Sequence, residues 1–257
     1  MRRLAALLCI ICALAGQGRD QSLLAFCAAG GASFSPISVS GCVLWLDLGD
    51  TSKMYDAVTG GSLVTNNGAV ARLEDKSGYG YHATNAVATA RPKRSDASFG
   101  GKTSCVFDNT DLFSFPRPMS TTGTVFLVHN PGYNAQYITL KDAVANAYVY
   151  VATSNSTTAA VSFSSGTPSY YLNGSATNWA NRGIVWSSLA AQNSVTVSAG
   201  VSFTAWTSAA WQVSGYASLF YVGNIAEVII YDRILTDANR KLVEAYLGTK
   251  WGITVAP

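Results

Sequence analysis

Short apolar runs of four to eight residues, separated by Gly, Asn, Asp and Pro, recur along most of the chain. Strand candidates fall at 42–48, 69–75, 103–108, 124–129, 136–140, 147–153, 159–165, 182–190, 194–203, 218–223 and 225–232. Their enrichment in β-branched and aromatic residues, with turn chemistry at this spacing, predicts an antiparallel sandwich or barrel. Strands and helices do not alternate, which argues against a parallel nucleotide-binding sheet.

One stretch has helical periodicity. Thr236 is the expected N-cap, and Asp237 places a negative charge in the first turn, where the helix dipole favours it. Leu242, Val243, Tyr246 and Leu247 then form one apolar stripe, and Gly248 is the expected stop. A single-striped helix should pack on a sheet, with its charges forming a solvated back and Asp232-Arg233 fixing the turn before it. Ile225, Val228 and Ile230 of the preceding strand should enter the core, and Trp251 should lie behind the helix.

The first residues, "MRRLAALLCIICALAG", combine two arginines, an apolar run from Leu4 to Ala15 and small residues before Gly16. This is the layout of a secretory signal over 1–15, and the run is too short to cross a bilayer, which takes about 20 apolar residues. A misassigned start or a buried tail is the competing reading. Residues 16–33 have linker composition, and the folded domain is expected over 34–257.

Composition narrows the partners. The 257 residues are 49% hydrophobic and only 12% charged, with a formal net charge of +3, so neither disorder nor a phosphate-binding surface is indicated. No nucleic acid partner and no stable transmembrane span are expected. Of five cysteines, Cys9 and Cys12 would leave with a signal, and the remaining three have no metal-ligand spacing. Cys42 and Cys105 lie in apolar runs; buried thiols or, in an oxidising compartment, a Cys42–Cys105 disulfide are the two readings.

Several residues carry candidate chemistry. Asp75 to His82, "DKSGYGYH", is either a cation or sugar site built from a carboxylate and glycine-rich backbone, or a turn in which Asp75 accepts backbone N–H bonds and Gly78 and Gly80 supply positive φ. Asp108, Asn109 and Asp111, with Asp47 and Asp50, offer oxygen ligands for calcium, although turn formation explains them equally well. No other cofactor is expected. Trp45 and Trp186 sit within apolar runs and read as core. Trp206 and Trp211 lie among small polar residues and read as exposed; with Trp179 and Tyr216 they are the candidate faces for sugar rings, alongside Tyr170 and Tyr171. Asn155 and Asn173 stand in N-glycosylation tripeptides.

"VLWLDLGD" (43–50), "LEDKSGYGYHAT" (73–84), "ARP" (90–92), "CVFDNTD" (105–111), "TVFLV" (124–128) and the closing "GNIAEVIIYDRILTDANRKLVEAYLGTKWGI" (223–253) together resemble the concanavalin A-like lectin/glucanase superfamily in its laminin-G-like branch. Between about 130 and 218 the match is only a string of strands. The resemblance implies an all-β jelly roll of two curved antiparallel sheets, here with one C-terminal helix. It also implies a secreted, surface-attached or virus-particle protein.

The enzyme branches of that superfamily need acids spaced Glu-x-Asp-x-x-Glu on one strand face. Glu74 and Asp75 fall on opposite faces, Glu227 has no acid two residues away, and His82 and His129 are the only histidines. No catalytic residue is therefore expected. The leading expectation is a non-catalytic module binding extracellular or cell-surface glycans. The alternative is a structural component of a virus or phage particle that packs against neighbouring subunits, and a glycan-cleaving enzyme ranks third.

Overall fold

The computed structural model describes residues 34–257 except 109, 133–136, 139, 145–146, 150, 153–167, 190–191 and 216–219, and only the backbone of 137–138 and 151–152. It is mostly β, with two antiparallel sheets and two helices. The first sheet runs in the order β13 (Ser175–Thr177), β12 (Ser169–Leu172), β14 (Ser194–Ser202), β8 (Thr122–Pro131), β16 (Gly223–Tyr231), β6 (Lys102–Phe107) and β5 (Lys93–Phe99). β1 (Cys42–Asp47) also pairs with β16. The second sheet runs β10 (Leu140–Asp142), β15 (Ala210–Val213), β7 (Phe113–Pro116), β4 (Ala83–Thr84), β3 (Arg72–Leu73) and β2 (Met54–Tyr55). A separate ribbon joins β9 (Tyr137–Ile138) to β11 (Val151–Ala152).

The central strands β1, β8, β14 and β16 carry long runs of buried positions because both faces of the first sheet are covered. One face gives Leu44, Leu46, Leu127, Val228 and Ile230 to a core shared with Leu73, Phe113, Phe115, Trp211 and Val213 of the second sheet. The other gives Trp45, Phe126, Val128, Val197, Ile229 and Tyr231 to a second core, closed by Val243, Leu247 and Trp251. These last three belong to helix α2 (Asp237–Trp251). Alternate residues of a strand serve opposite faces, so one continuous apolar run fills two cores.

Helix α2 starts where the sequence indicates: the Thr236 hydroxyl accepts the Asn239 N–H at 3.3 Å. It runs one turn past the expected stop. Gly248 is helical and buried, and Gly252, with φ of 70°, is the left-handed cap whose N–H bonds to the Gly248 carbonyl. The helix face is also less apolar than expected, because Arg240 and Glu244 are buried on it while Leu242 is only half-buried. Arg240 pairs with Glu244, lies 3.5 Å from Asp237 and stacks 3.7 Å over the Tyr171 ring. Burial pushes the Glu244 carboxyl up to about 7, with Arg240 acting against that rise.

Three other expectations are corrected. Residues 182–190 do not form a strand: Arg182–Leu189 is helix α1, begun by the Asn181 side chain accepting the Ile184 N–H at 2.9 Å. The run at 69–75 contributes only the two-residue β3, and 220–222 precede β16 without joining a strand. The strand expected at 159–165 lies outside the described residues, as do residues 1–33.

Candidate functional site

Trp206 and Trp211 are both fully buried, contrary to their polar sequence surroundings. Trp211 occupies the inward position of β15, and its ring centroid lies 4.4 Å from that of Trp206 and 4.6 Å from that of Phe203. The small polar residues nearby form the turn rather than a rim: the Trp206 N–H bonds to the Phe203 carbonyl at 3.0 Å, and Arg117 donates to the Trp206 carbonyl at 2.9 Å. Neither ring can present a face to a ligand.

Trp179 is also buried, stacked on Tyr170 with centroids 5.2 Å apart at the foot of a cleft of about 310 Å³ beside β12 and β13. Trp45 is core as expected, and Trp186 packs half-buried against the main core from α1. Tyr216 lies outside the described residues. Asn173 is built into the β12–β13 turn with its side-chain oxygen accepting the Val195 N–H at 2.8 Å, whereas Asn155 is not described.

The Asp75 loop adopts the turn reading. Its carboxylate accepts N–H bonds from Trp45 at 2.9 Å, Ser77 at 2.9 Å and Tyr81 at 3.1 Å, and the Ser77 hydroxyl at 2.6 Å. His82 Nδ1 accepts the Asp75 N–H at 3.1 Å. With its carboxylate spent on the loop, Asp75 has little left to offer a cation. The loop nonetheless displays something: Gly78 (φ 97°) and Gly80 (φ 75°) turn the backbone so that Tyr79 and Tyr81 stack, centroids 5.8 Å apart and planes 8° from parallel. Tyr79 is 60% exposed.

A second arrangement was hidden in short period-two patterns. In "FSF" of β7 and "WQV" of β15 the aromatic and valine residues enter the core, so Ser114 and Gln212 face the opposite way. Strand register aligns them in one cross-strand row: Tyr55, Arg72, Thr84, Ser114, Gln212 and Lys141. Five interstrand steps at about 4.8 Å make the row ~24 Å long. Lys141, at its end, is buried, and the other five residues keep part of their surface in solvent. Gln212 Nε2 donates to Ser114 Oγ at 3.2 Å, which leaves the Gln212 carbonyl oxygen and the Ser114 hydroxyl hydrogen for an outside partner. At the other end the Arg72 guanidinium lies 4.1 Å over the Tyr55 ring.

The carboxylates capable of acid–base chemistry are elsewhere. Asp47 and Glu227 are cross-strand partners on β1 and β16, a neighbourhood invisible in a pattern that searches one strand. Glu227 is fully buried and accepts bonds from Trp45 Nε1 at 2.6 Å, Tyr246 Oη at 3.2 Å, Lys250 Nζ at 2.7 Å and Trp251 Nε1 at 2.7 Å. Lys250 also lies 2.7 Å from Asp47, which in turn meets Lys76 at 2.8 Å, and Lys76 meets Asp50 at 2.8 Å. Burial, with the neighbouring Asp47, pushes the Glu227 carboxyl up while Lys250 opposes the shift. Burial works against the Lys76 ammonium, yet Asp47 and Asp50 hold it charged above its usual range. The pair is sealed beneath α2 and cannot reach a substrate.

The proposed calcium ligands are likewise engaged. Asp108 Oδ1 accepts the Thr110 N–H and hydroxyl at 3.1 and 3.0 Å, Asp111 Oδ2 accepts the Asp108 N–H at 3.0 Å, and Asp47 and Asp50 hold Lys76. Asn109 lies outside the described residues, among which no group of three His, Cys, Asp or Glu is arranged for a metal. The Cys42–Cys105 disulfide does not form. The two thiols are free and buried, in different cores, and pair in register with Tyr231 and Ile225 at opposite ends of β16, about 20 Å apart along the strand. Such a gap cannot be bridged. No described helix is long and apolar enough to cross a membrane.

No family model matches the chain, and no curated protein does. Among solved structures, a Trypanosoma rangeli sialidase in complex with sialic acid aligns over 86% of this chain and 34% of its own length, at 12% identity and a TM-score of 0.41. The chain thus spans about a third of that protein, and a likeness this weak carries no argument about either fold or activity.

Proposed function

We propose that the chain is a non-catalytic carbohydrate-binding module with a concanavalin A-like, laminin-G-like jelly roll, acting outside the cell or on a particle surface. The row of polar side chains across the second sheet is the observation that supports this reading. An extended glycan presents repeated hydroxyl groups, and Thr84, Ser114 and Gln212 offer both donors and acceptors at strand spacing. Tyr55 adds a phenol at one end, beside Arg72, whose guanidinium also lies 3.7 Å from Glu74 and donates to the Val58 carbonyl at 3.3 Å. Hydroxyl-rich ligands are held by many such bonds of modest individual worth, and an extended row supplies more of them than a single loop.

The only close carboxylate pair among the described residues with both members buried in one ion cluster, Asp47 and Glu227, is committed to Lys250. That favours binding over hydrolysis. The test is a glycan array probed with purified protein and with Gln212→Ala and Thr84→Val. Binding of an extended glycan, weakened ~5-fold or more by each substitution at unchanged stability, supports the module. Absence of glycan binding together with self-assembly of the purified chain supports the structural particle component instead.

A further inference from the structure

The cluster of Asp47, Glu227 and Lys250, sealed from outside substrates, holds one amine against two acids. Lys250 Nζ lies 2.7 Å from Asp47 Oδ1 and 2.7 Å from Glu227 Oε2. Asp47 stands on β1, Glu227 is its register partner on β16, and Lys250 is in the last turn of α2. Aromatic rings wall the amine, which sits 5.0 Å over Trp251 and 5.6 Å over Tyr246. The two acid side chains are buried, and that of Lys250 keeps 25% of its surface in solvent.

In water an ammonium and a carboxylate do not condense, because solvation holds both in their charged, unreactive forms. Enclosure reverses that preference, since desolvation favours the neutral amine and the neutral acid. Contact distance also removes the cost of bringing the two groups together. Glu227, whose carboxyl burial already pushes up, can take a proton from Lys250 and pass it on. Trp45, Tyr246 and Trp251 fix it in place for that role. Asp47 Oδ2 lies 2.8 Å from Lys76 Nζ, a second cation positioned where negative charge gathers on oxygen during attack at Cγ.

We propose that Lys250 and Asp47 join in an intramolecular isopeptide bond, with Glu227 as the proton relay, so that the end of α2 is covalently tied to β1. A proton passes from Lys250 through Glu227 to Asp47 Oδ1, and the freed Nζ lone pair bonds to Asp47 Cγ. A second proton then leaves Nζ by the same route, the Cγ–Oδ1 bond breaks and one water departs. The ammonium and carboxylate become a neutral amide, Glu227 ends as it began, and no other reactant is needed. The ion pairs are the state before the bond forms. The link does not depend on the polar row, so either can fail without the other.

The test is a denaturing protease digest of the purified full chain, read by mass spectrometry. The peptide containing Asp47 should appear joined to the one containing Lys250, at the sum of their masses less one water. Lys250→Arg keeps a cation beside both carboxylates but has no nucleophilic amine; it should give the two peptides separately and unfold at a lower temperature than the parent. Glu227→Gln should leave most chains unlinked, and Gln212→Ala should leave the link complete. Separate Asp47 and Lys250 peptides from the folded parent would overturn the bond, as would a link from Asp47 to Lys76 or a water lost within the Asp47 peptide alone. Complete linkage in Glu227→Gln would overturn the relay. Cooperative urea unfolding of each variant before digestion shows directly that it is folded.

Discussion

Asp47 and Glu227 face each other across β1 and β16, and Lys250 reaches down from the last turn of α2 to lie 2.7 Å from an oxygen of each. One ammonium is therefore shared by two carboxylates, the fully buried Glu227 and Asp47, which Lys76 also meets at 2.8 Å, and it ties the helix end to the sheet. Lys250→Met should destabilise the fold by about 3–5 kcal/mol, because it strands Glu227 without its charge partner. Adding Glu227→Gln should recover part of that loss, since the buried charge goes with it. Urea unfolding of the two variants beside the parent measures both effects, and a single variant as stable as the parent would show the cluster to be dispensable.

Trp206 and Trp211 pack on Phe203 and Phe115 in the main core. Replacing either by Ala should cost about 3–5 kcal/mol. Trp→Phe at the same positions should cost less and leave the folded protein's ligand binding unchanged. Thermal unfolding with a parallel binding assay separates a core role from a contact role.

His129 is fully buried, with ring nitrogens 3.3 Å from the Thr196 and Tyr221 hydroxyls, and burial pushes its pKa down from 6.5 to about 3. Between those values the unfolded chain binds a proton that the folded chain does not. The histidine's contribution to stability is therefore complete above pH 6.5 and is lost as the pH falls toward 3. Relative to His129→Gln, the parent should lose up to ~1.4 kcal/mol for each pH unit across that window. A difference that is flat with pH, read from urea titrations, would contradict a neutral buried imidazole.

Both buried thiols resist ionisation: burial raises Cys42 to about 12, with Asp75 adding to the rise, and raises Cys105 still further. In the native protein, the peptides carrying Cys42 and Cys105 should stay unalkylated by iodoacetamide and become labelled only in denaturant, without prior reduction. Native labelling of either, or a need for reductant, would conflict with two enclosed free thiols.

Legibility in the sequence followed burial. Strands β1, β8 and β16 announced themselves because covered faces demand apolar residues at nearly every position, β6 and β14 did so through shorter runs of β-branched and apolar residues, and Thr236 marked the start of α2. β5, "KRSDASF", gave no such signal because an edge strand with half-exposed faces can be polar. β2, β3 and β4 are two residues each, shorter than any periodicity. Helix α1 was read as a strand because Ile184, Val185 and Trp186 mimic one; Asn181 three residues before Ile184 was the available capping signal. Trp206 and Trp211 misled because local polarity reported the turn they flank rather than the core they enter. The partners of Glu227 lie as far as 182 residues away in the chain, so no spacing rule could assemble them. The polar row was present only as single alternations, and pairing across six strands made it a surface.

An extended glycan is proposed to lie along the second sheet. Backbone amide shifts, recorded while titrating the protein with the glycan that binds most tightly on an array, test it directly. Shifts should concentrate at Arg72, Thr84, Ser114 and Gln212, with α2 and Trp206 unmoved; shifts confined to α2 or to the cleft beside Trp179, with the second sheet silent, would contradict that placement.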